Sequence, residues 1–116
     1  MRVAIMQPTY LPWIGYFSLM DKVDHFVFLD SVQFDRRSWQ QRNRIKAASG
    51  VQMLTVPVLK KGKREQKICE VEVDQASRFR KKHQSSIQHA YSSAPFYNQY
   101  SERLFNVLGM DTPLLA

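Results

Sequence analysis

Three passages and one histidine carry the residue types that do chemistry. The loop Gln7-Pro8-Thr9-Tyr10-Leu11-Pro12-Trp13 sets an amide, a phenol and an indole among two prolines. Prolines reduce the freedom such a loop loses on binding, and its aromatics can stack on a base, a sugar face or another ring. The competing reading is that Tyr10, Trp13, Tyr16 and Phe17 cap a core. Asp30, Gln33 and Asp35 follow an apolar run. Asp30 and Gln33 can orient hydroxyls there, although a carboxylate after a strand is also an ordinary turn or helix cap. The third passage holds Arg36, Arg37, Trp39, Arg42, Asn43, Arg44 and Lys46. In an extended chain Arg42, Arg44 and Lys46 share one face, with Asn43, Ile45 and Ala47 on the other. Arginine suits bidentate contact with phosphate or carboxylate. Basic strips with aromatics also occur in nucleic-acid modules, so the strip does not name its ligand.

His83 lies between Phe79 and Ile87 at i, i+4 spacing, which turns it toward the interior or a cleft. It reads either as a satisfied core histidine or as a general base or phosphate contact. His89 falls on the opposite, solvent side of that helix. No Cys/His spacing fits a zinc site, and there is no Ser/His/Asp signature or Walker loop, so no metal is expected. Gly15 stands alone; a close backbone approach at a helix start is its functional reading.

The elements that must hold these residues read as an α/β chain. Arg2 to Met6 is a short strand, Ile14 to Lys22 a helix, and the apolar run Phe26-Val27-Phe28-Leu29, enclosed by Asp24 and Asp30, a strand buried on both faces. This is a βαβ unit with parallel pairing, and ligands of such sheets bind at the carboxyl ends of the strands. Gln7 to Trp13 and Asp30 to Phe34 lie there. Arg42 to Ala47, a Ser49-Gly50 turn and Val51 to Leu59 predict a basic β-hairpin, with Leu54, Val56 and Val58 together on one side. Pro57 argues for an edge or a strand end. Ile68 to Val73 alternates, predicting a strand with Cys69, Val71 and Val73 inward. Asp74 reads as the N-cap of a helix running to Ala90 or Tyr91, and a second C-terminal helix spans Asn98 to Leu108, stopped by Gly109.

Composition bounds the rest. With 116 residues and 44% hydrophobic content, one core can form and a disordered basic tail is excluded. The net charge of +7 is concentrated between Arg36 and His83, where 14 Lys/Arg face 4 Asp/Glu. A basic middle in a near-neutral frame attracts anionic small molecules or polyanions. No apolar run is long enough to span a bilayer. No cleavable leader follows Met1, and the single cysteine, Cys69, fits a reducing compartment, so the cytoplasm is the expected location. The apolar ending Leu114-Leu115-Ala116 suggests a chain cut short.

Four ordered blocks resemble the WbqC-like family. They are Ala4 to Phe17, with Gln7-Pro8-Thr9-Tyr10-Leu11-Pro12-Trp13 at its centre; Phe26 to Phe34; Trp39 to Lys46 followed by Leu54 to Val58; and Lys82-His83 with Tyr91 and Ala94-Pro95-Phe96-Tyr97. The chain departs from the family at Gln41, where asparagine is commoner, and at Met6, where some members have histidine. The resemblance implies a protein of bacterial O-antigen and surface-polysaccharide clusters, with a transferase role and glycine transfer to a sugar as one suggestion. It also implies that residues 1–116, a single α/β domain, are the amino-terminal part of a longer protein. By fold analogy, a strand entering a proline-bearing loop before a helix and parallel strand resembles the nucleotidyltransferases with an HxGH loop, although both histidines are missing here.

The expectation is a transferase acting on an activated, phosphate-bearing sugar or aminoacyl donor, with a nucleotide or nucleotide sugar as the ligand class. Gln7, Tyr10, Trp13, Trp39 and Asn43 would line the pocket, with Asp30 and Gln33 orienting polar groups. Arg37, Arg42, Arg44 and Lys46 would hold the anion, and His83 would be the acid/base. A nucleic-acid module and a noncatalytic scaffold of a biosynthetic complex are the alternatives. The absence of any nucleic-acid motif weighs against the first.

Overall fold

Val3–Met6 (β1) and His25–Phe28 (β2) pair in parallel, Val3 against His25 through Met6 against Phe28, with the helix Ile14–Lys22 (α1) between them in sequence. The computed structural model describes all 116 residues. The expected βαβ unit is present. Arg42–Ala47 (β3) and Gly50–Thr55 (β4) form an antiparallel hairpin, followed by a 3-10 turn at Ile68–Glu70 and the helices Phe79–Tyr91 (α2) and Tyr97–Leu108 (α3). Each sheet has two strands. No helix is long and apolar enough to cross a membrane.

The β2 strand is not buried on both faces. Val27 is 44% exposed and Phe28 53%, and Val3 and Ile5 of β1 are open as well. A parallel strand is hidden only when both sheet faces are covered. Here Tyr16 reaches Phe26 from α1, ring centroids 5.3 Å apart, and Ala4 is buried, while Val3, Ile5, Val27 and Phe28 lack such cover.

The core sits instead where the hairpin, α2 and residues 56–73 meet. Phe34, Val58, Ile68 and Val71 form one cluster. Ile45, Leu54 and Ile87 form a second, and Val56, Val73 and Phe79 a third, with Tyr10 packed against both. Leu54, Val56 and Val58 are all buried, as the alternation requires. Phe79, His83 and Ile87 make one buried face of α2, and His89 is exposed.

Ile68 to Val73 is not the expected strand. The Glu70 amide donates to the Lys67 carbonyl (2.9 Å) and the Val71 amide to the Ile68 carbonyl (3.2 Å), closing a 3-10 turn with three residues per turn, and the Glu70 carboxylate caps it by accepting from the Lys67 amide (2.9 Å). Ile68 and Val71, three apart, therefore point inward together and are the most buried residues here, while Cys69 is only half-buried. Extended backbone resumes at Val71, where Glu72 bridges Leu114 and Val73 bridges Val58. The apolar tail is thus paired: Leu115 donates to Val71 (2.9 Å) and Val73 to Pro113 (2.9 Å).

Asp74 does not cap α2. Its carboxylate accepts from the Ala76 amide (3.1 Å) and its carbonyl from Ser77 (3.2 Å), a separate turn before the helix starts at Phe79. Gly15 serves packing, because a Cβ there would overlap the ring of Trp13, which lies against the helix start.

Candidate functional site

Two loops converge beyond the carboxyl ends of β1 and β2. The first runs from Gln7 to Trp13 and the second from Gln33 to Gln41. Tyr10 donates its amide to the Trp39 carbonyl (2.9 Å), and Gln40 Nε2 donates to Gln7 Oε1 (2.8 Å). Buried Gln40 and Gln41 hold the second loop from inside. Gln40 Oε1 accepts from the Asp35 amide (2.9 Å), Gln41 Oε1 from the Arg37 amide (2.8 Å), and Gln41 Nε2 donates to the Val56 carbonyl (3.0 Å). Each loop holds one non-glycine residue in the left-handed region, Leu11 at φ 46° and Arg37 at φ 61°. Such residues persist where surrounding bonds over-determine them, and they gather at binding sites.

Between the loops lies a cavity of about 280 Å³ lined by Gln7, Thr9, Gln33, Asp35, Ser38, Trp39 and Gln40. Three amides, two hydroxyls, one carboxylate and an indole face one space. The Thr9 hydroxyl is buried with no hydrogen-bond partner. A buried hydroxyl without a partner is costly, and a polar ligand in this space would satisfy it. Trp39 is 46% exposed, and the Arg44 guanidinium sits 4.9 Å from its ring centroid. Arg42 and Lys46 share the outer hairpin face with Arg44, since they pair with Thr55 and Val51 as Arg44 pairs with Met53. None of the three has a carboxylate partner among the ion pairs, which join Arg2 to Asp24, Lys63 to Glu72 and Arg80 to Asp111.

The structure divides the residues singled out by type and spacing. Gln7, Gln33 and Trp39 meet in the cavity, with Arg44 stacked on its indole wall. Trp13 is 67% exposed and lies over Gly15 instead. Asp30 is bonded through its carbonyl to the Cys69 amide, and Asp35 is the carboxylate lining the cavity. Asn43 Nδ2 donates to the carbonyls of Tyr10 (3.1 Å) and Leu11 (2.7 Å), tying the first loop to the hairpin. Arg37 is exposed on the second loop. Thr9, Asp35, Ser38 and Gln40 complete the lining. The i, i+2 spacing of Gln33 and Asp35 was a usable signal, since an extended segment puts both on one side.

Tyr10 and His83 meet away from that cavity. Thr55 offers a carbonyl, which only accepts, so His83 Nε2 carries the proton and donates to it (3.1 Å). Nδ1 then accepts from the Tyr10 hydroxyl (2.7 Å). Burial pushes the Tyr10 phenol up to about 12, against the lowering effect of Arg80. Burial also holds His83 below its ordinary value, against the Thr55 hydrogen bond. With both ring nitrogens engaged, His83 in this arrangement positions Tyr10.

The lowered pKa of His83 has a signed consequence. Below about pH 6.5 the unfolded chain takes up a proton that the folded chain refuses, so stability falls with pH until the folded value is passed. Thermal unfolding of wild type and His83→Gln should show the wild-type advantage shrinking as pH drops through that window, by at most ~1.4 kcal/mol per pH unit. A gap independent of pH would contradict the assignment of a neutral His83.

The fold and cavity place the chain among α/β proteins with a polar site at the ends of parallel strands. It belongs to the WbqC-like protein family, which matches residues 7–116. A relative in Mycobacterium tuberculosis (strain ATCC 25618 / H37Rv), "Uncharacterized protein Rv1507c", is 41% identical over 103 residues, covering 89% of this chain and 44% of the relative. The chain thus spans less than half the length of that relative. No solved structure matches.

Proposed function

We propose that this chain carries the donor-binding part of a transferase that uses a phosphate-activated sugar or aminoacyl group in bacterial surface-polysaccharide biosynthesis. The observation that carries the reading is the polar cavity walled by Trp39, with Arg44 held over the same indole. Amides, a carboxylate and an aromatic wall suit a polyhydroxylated or amide-bearing group, which presents hydrogen-bonding edges and an apolar face. Arg44, Arg42 and Lys46 would take the phosphate, and Arg37 would face it from the second loop. Such cations stabilise charge that develops on a phosphate leaving group. Asp35 would accept the proton of an attacking hydroxyl or amine.

On this reading residues 1–116 form one α/β domain at the amino-terminal side of a longer protein. The open apolar side chains Val3, Ile5, Val27 and Phe28 would be covered by further polypeptide. The nucleotidyltransferase analogy remains one form of the same proposal, in which the phosphate itself is transferred.

A thermal-shift panel tests it. UDP-glucose stands for the nucleotide sugars and glycyl-adenylate sulfamide for aminoacyl donors, with UDP and glucose as controls. A ligand at ~100 times its Kd adds about 2.7 kcal/mol to the folded state. UDP-glucose or the aminoacyl analogue should raise the melting temperature more than UDP or glucose alone, and Arg44→Ala should remove the gain. Equal shifts in wild type and Arg44→Ala would end the proposal.

A further inference from the structure

The ladder of the hairpin leaves β4 with a free backbone edge, and its register fixes which way each residue along that edge points. On β3, the Lys46 amide donates to the Tyr91 hydroxyl (3.0 Å) and the Arg44 amide to the Asn43 side chain (2.7 Å), so both point away from β4. Their partners in register, Val51 and Met53, must then point away from β3, as must Thr55 opposite Arg42. The Thr55 carbonyl confirms this parity, because it accepts from His83 on the far side. Met53 therefore presents both its N–H and C=O outward, with the Thr55 N–H beside them.

That edge opens onto a groove of about 720 Å³ between β4 and the first half of α2. Its lining includes Gln52 to Thr55 along the strand and Arg78, Lys81, Lys82, Ser85 and Ser86 along the helix. It holds three cations and no carboxylate, and none of the three cations belongs to an ion pair. Apart from His83, whose nitrogens are both engaged, it has no aromatic ring on which a base could stack. An open strand edge offers hydrogen bonds to an extended chain, and the cations set the sign of its charge. A nucleic-acid groove would call for stacking platforms. A second copy of this chain, itself at +7, is disfavoured by the same cations.

We propose that this edge is a docking site for an extended acidic peptide segment, which adds to β4 as a strand beside Lys81 and Lys82. Its side chains on the helix side would meet Arg78, Lys81 and Lys82, and its backbone would pair with Met53 and Thr55. The site is separate from the cavity at Trp39, so its test does not depend on the transferase reading.

The probe is a fluorescein-labelled peptide of alternating Glu and Thr, titrated by anisotropy against the 116-residue chain. A control peptide of equal charge carries Pro in place of each Thr and cannot complete a ladder. The Glu-Thr peptide should bind roughly tenfold more tightly than the Pro control, and the Lys81→Glu/Lys82→Glu variant should lose roughly tenfold. Hydrogen exchange at the Met53 and Thr55 amides should slow when the peptide is added. Met53→Pro, which removes an edge donor and leaves the charge intact, should weaken binding as well. Equal binding of both peptides, unchanged exchange at Met53 and Thr55, or an oligothymidylate of matched charge displacing the peptide at lower concentration would overturn the proposal.

Discussion

Replacing His83 with alanine is expected to cost about 3–5 kcal/mol, from the volume of a buried ring and the loss of two hydrogen bonds. The ring packs between Tyr10 (centroids 5.5 Å) and Phe79 (5.4 Å), so its removal empties the meeting point of the loop and α2. It also leaves the Tyr10 hydroxyl and the Thr55 carbonyl without partners. A loss of this size lowers the melting temperature by roughly 10–30 °C in a domain of this length. The second substitution Tyr10→Phe should then recover part of the loss, because it removes the stranded hydroxyl. Chemical denaturation of both single variants and the double variant measures that coupling. Additive losses would show that the two side chains do not act as a unit.

Asn43→Ala should cost about 2–4 kcal/mol. One amide nitrogen serves two carbonyls, Tyr10 (3.1 Å) and Leu11 (2.7 Å), and a buried acceptor left unpaired costs about 1–3 kcal/mol. Leu11 sits at φ 46°, a conformation leucine adopts only under constraint, and this bond is part of that constraint. Asn43→Asp should be at least as damaging, since a carboxylate cannot donate to either carbonyl and repels both. Limited proteolysis between Gln7 and Trp13, followed with the unfolding curve, distinguishes a released loop from general unfolding. A loop as protected in Asn43→Ala as in wild type would contradict the assigned role.

How far the fold could be read ahead depended on which neighbours each segment has. Period-2 and period-3.6 patterns predicted the parallel pair, the hairpin and both C-terminal helices, because alternation in Leu54-Val56-Val58 and spacing in Phe79-His83-Ile87 are local properties. The apolar run Phe26 to Leu29 overstates its own burial, because burial depends on what covers the sheet, which is not local. Ile68 to Val73 alternates like a strand yet begins as a 3-10 turn, because both can be written with apolar residues two or three apart. At the cavity, type and spacing singled out Gln7, Gln33 and Trp39, which line it, and Arg44, which stacks on Trp39. They did not separate a ligand-facing polar group from one that holds a loop. Asn43 and Gln41 show why: an amide bonded to a backbone carbonyl has the same letter as one facing a cavity.

The proposed donor site is the cavity beside Trp39. The shift in melting temperature produced by UDP-glucose or the glycyl-adenylate analogue, measured in wild type beside Trp39→Ala and Thr9→Val, tests it most directly. Trp39 forms a wall of the cavity without a side-chain hydrogen bond, and the Thr9 hydroxyl is unpartnered, so neither change should unfold the chain. A saturable rise is expected in wild type, falling by most of its size in Trp39→Ala and reduced in Thr9→Val. No rise with either donor, or the same rise in all three proteins, would contradict it.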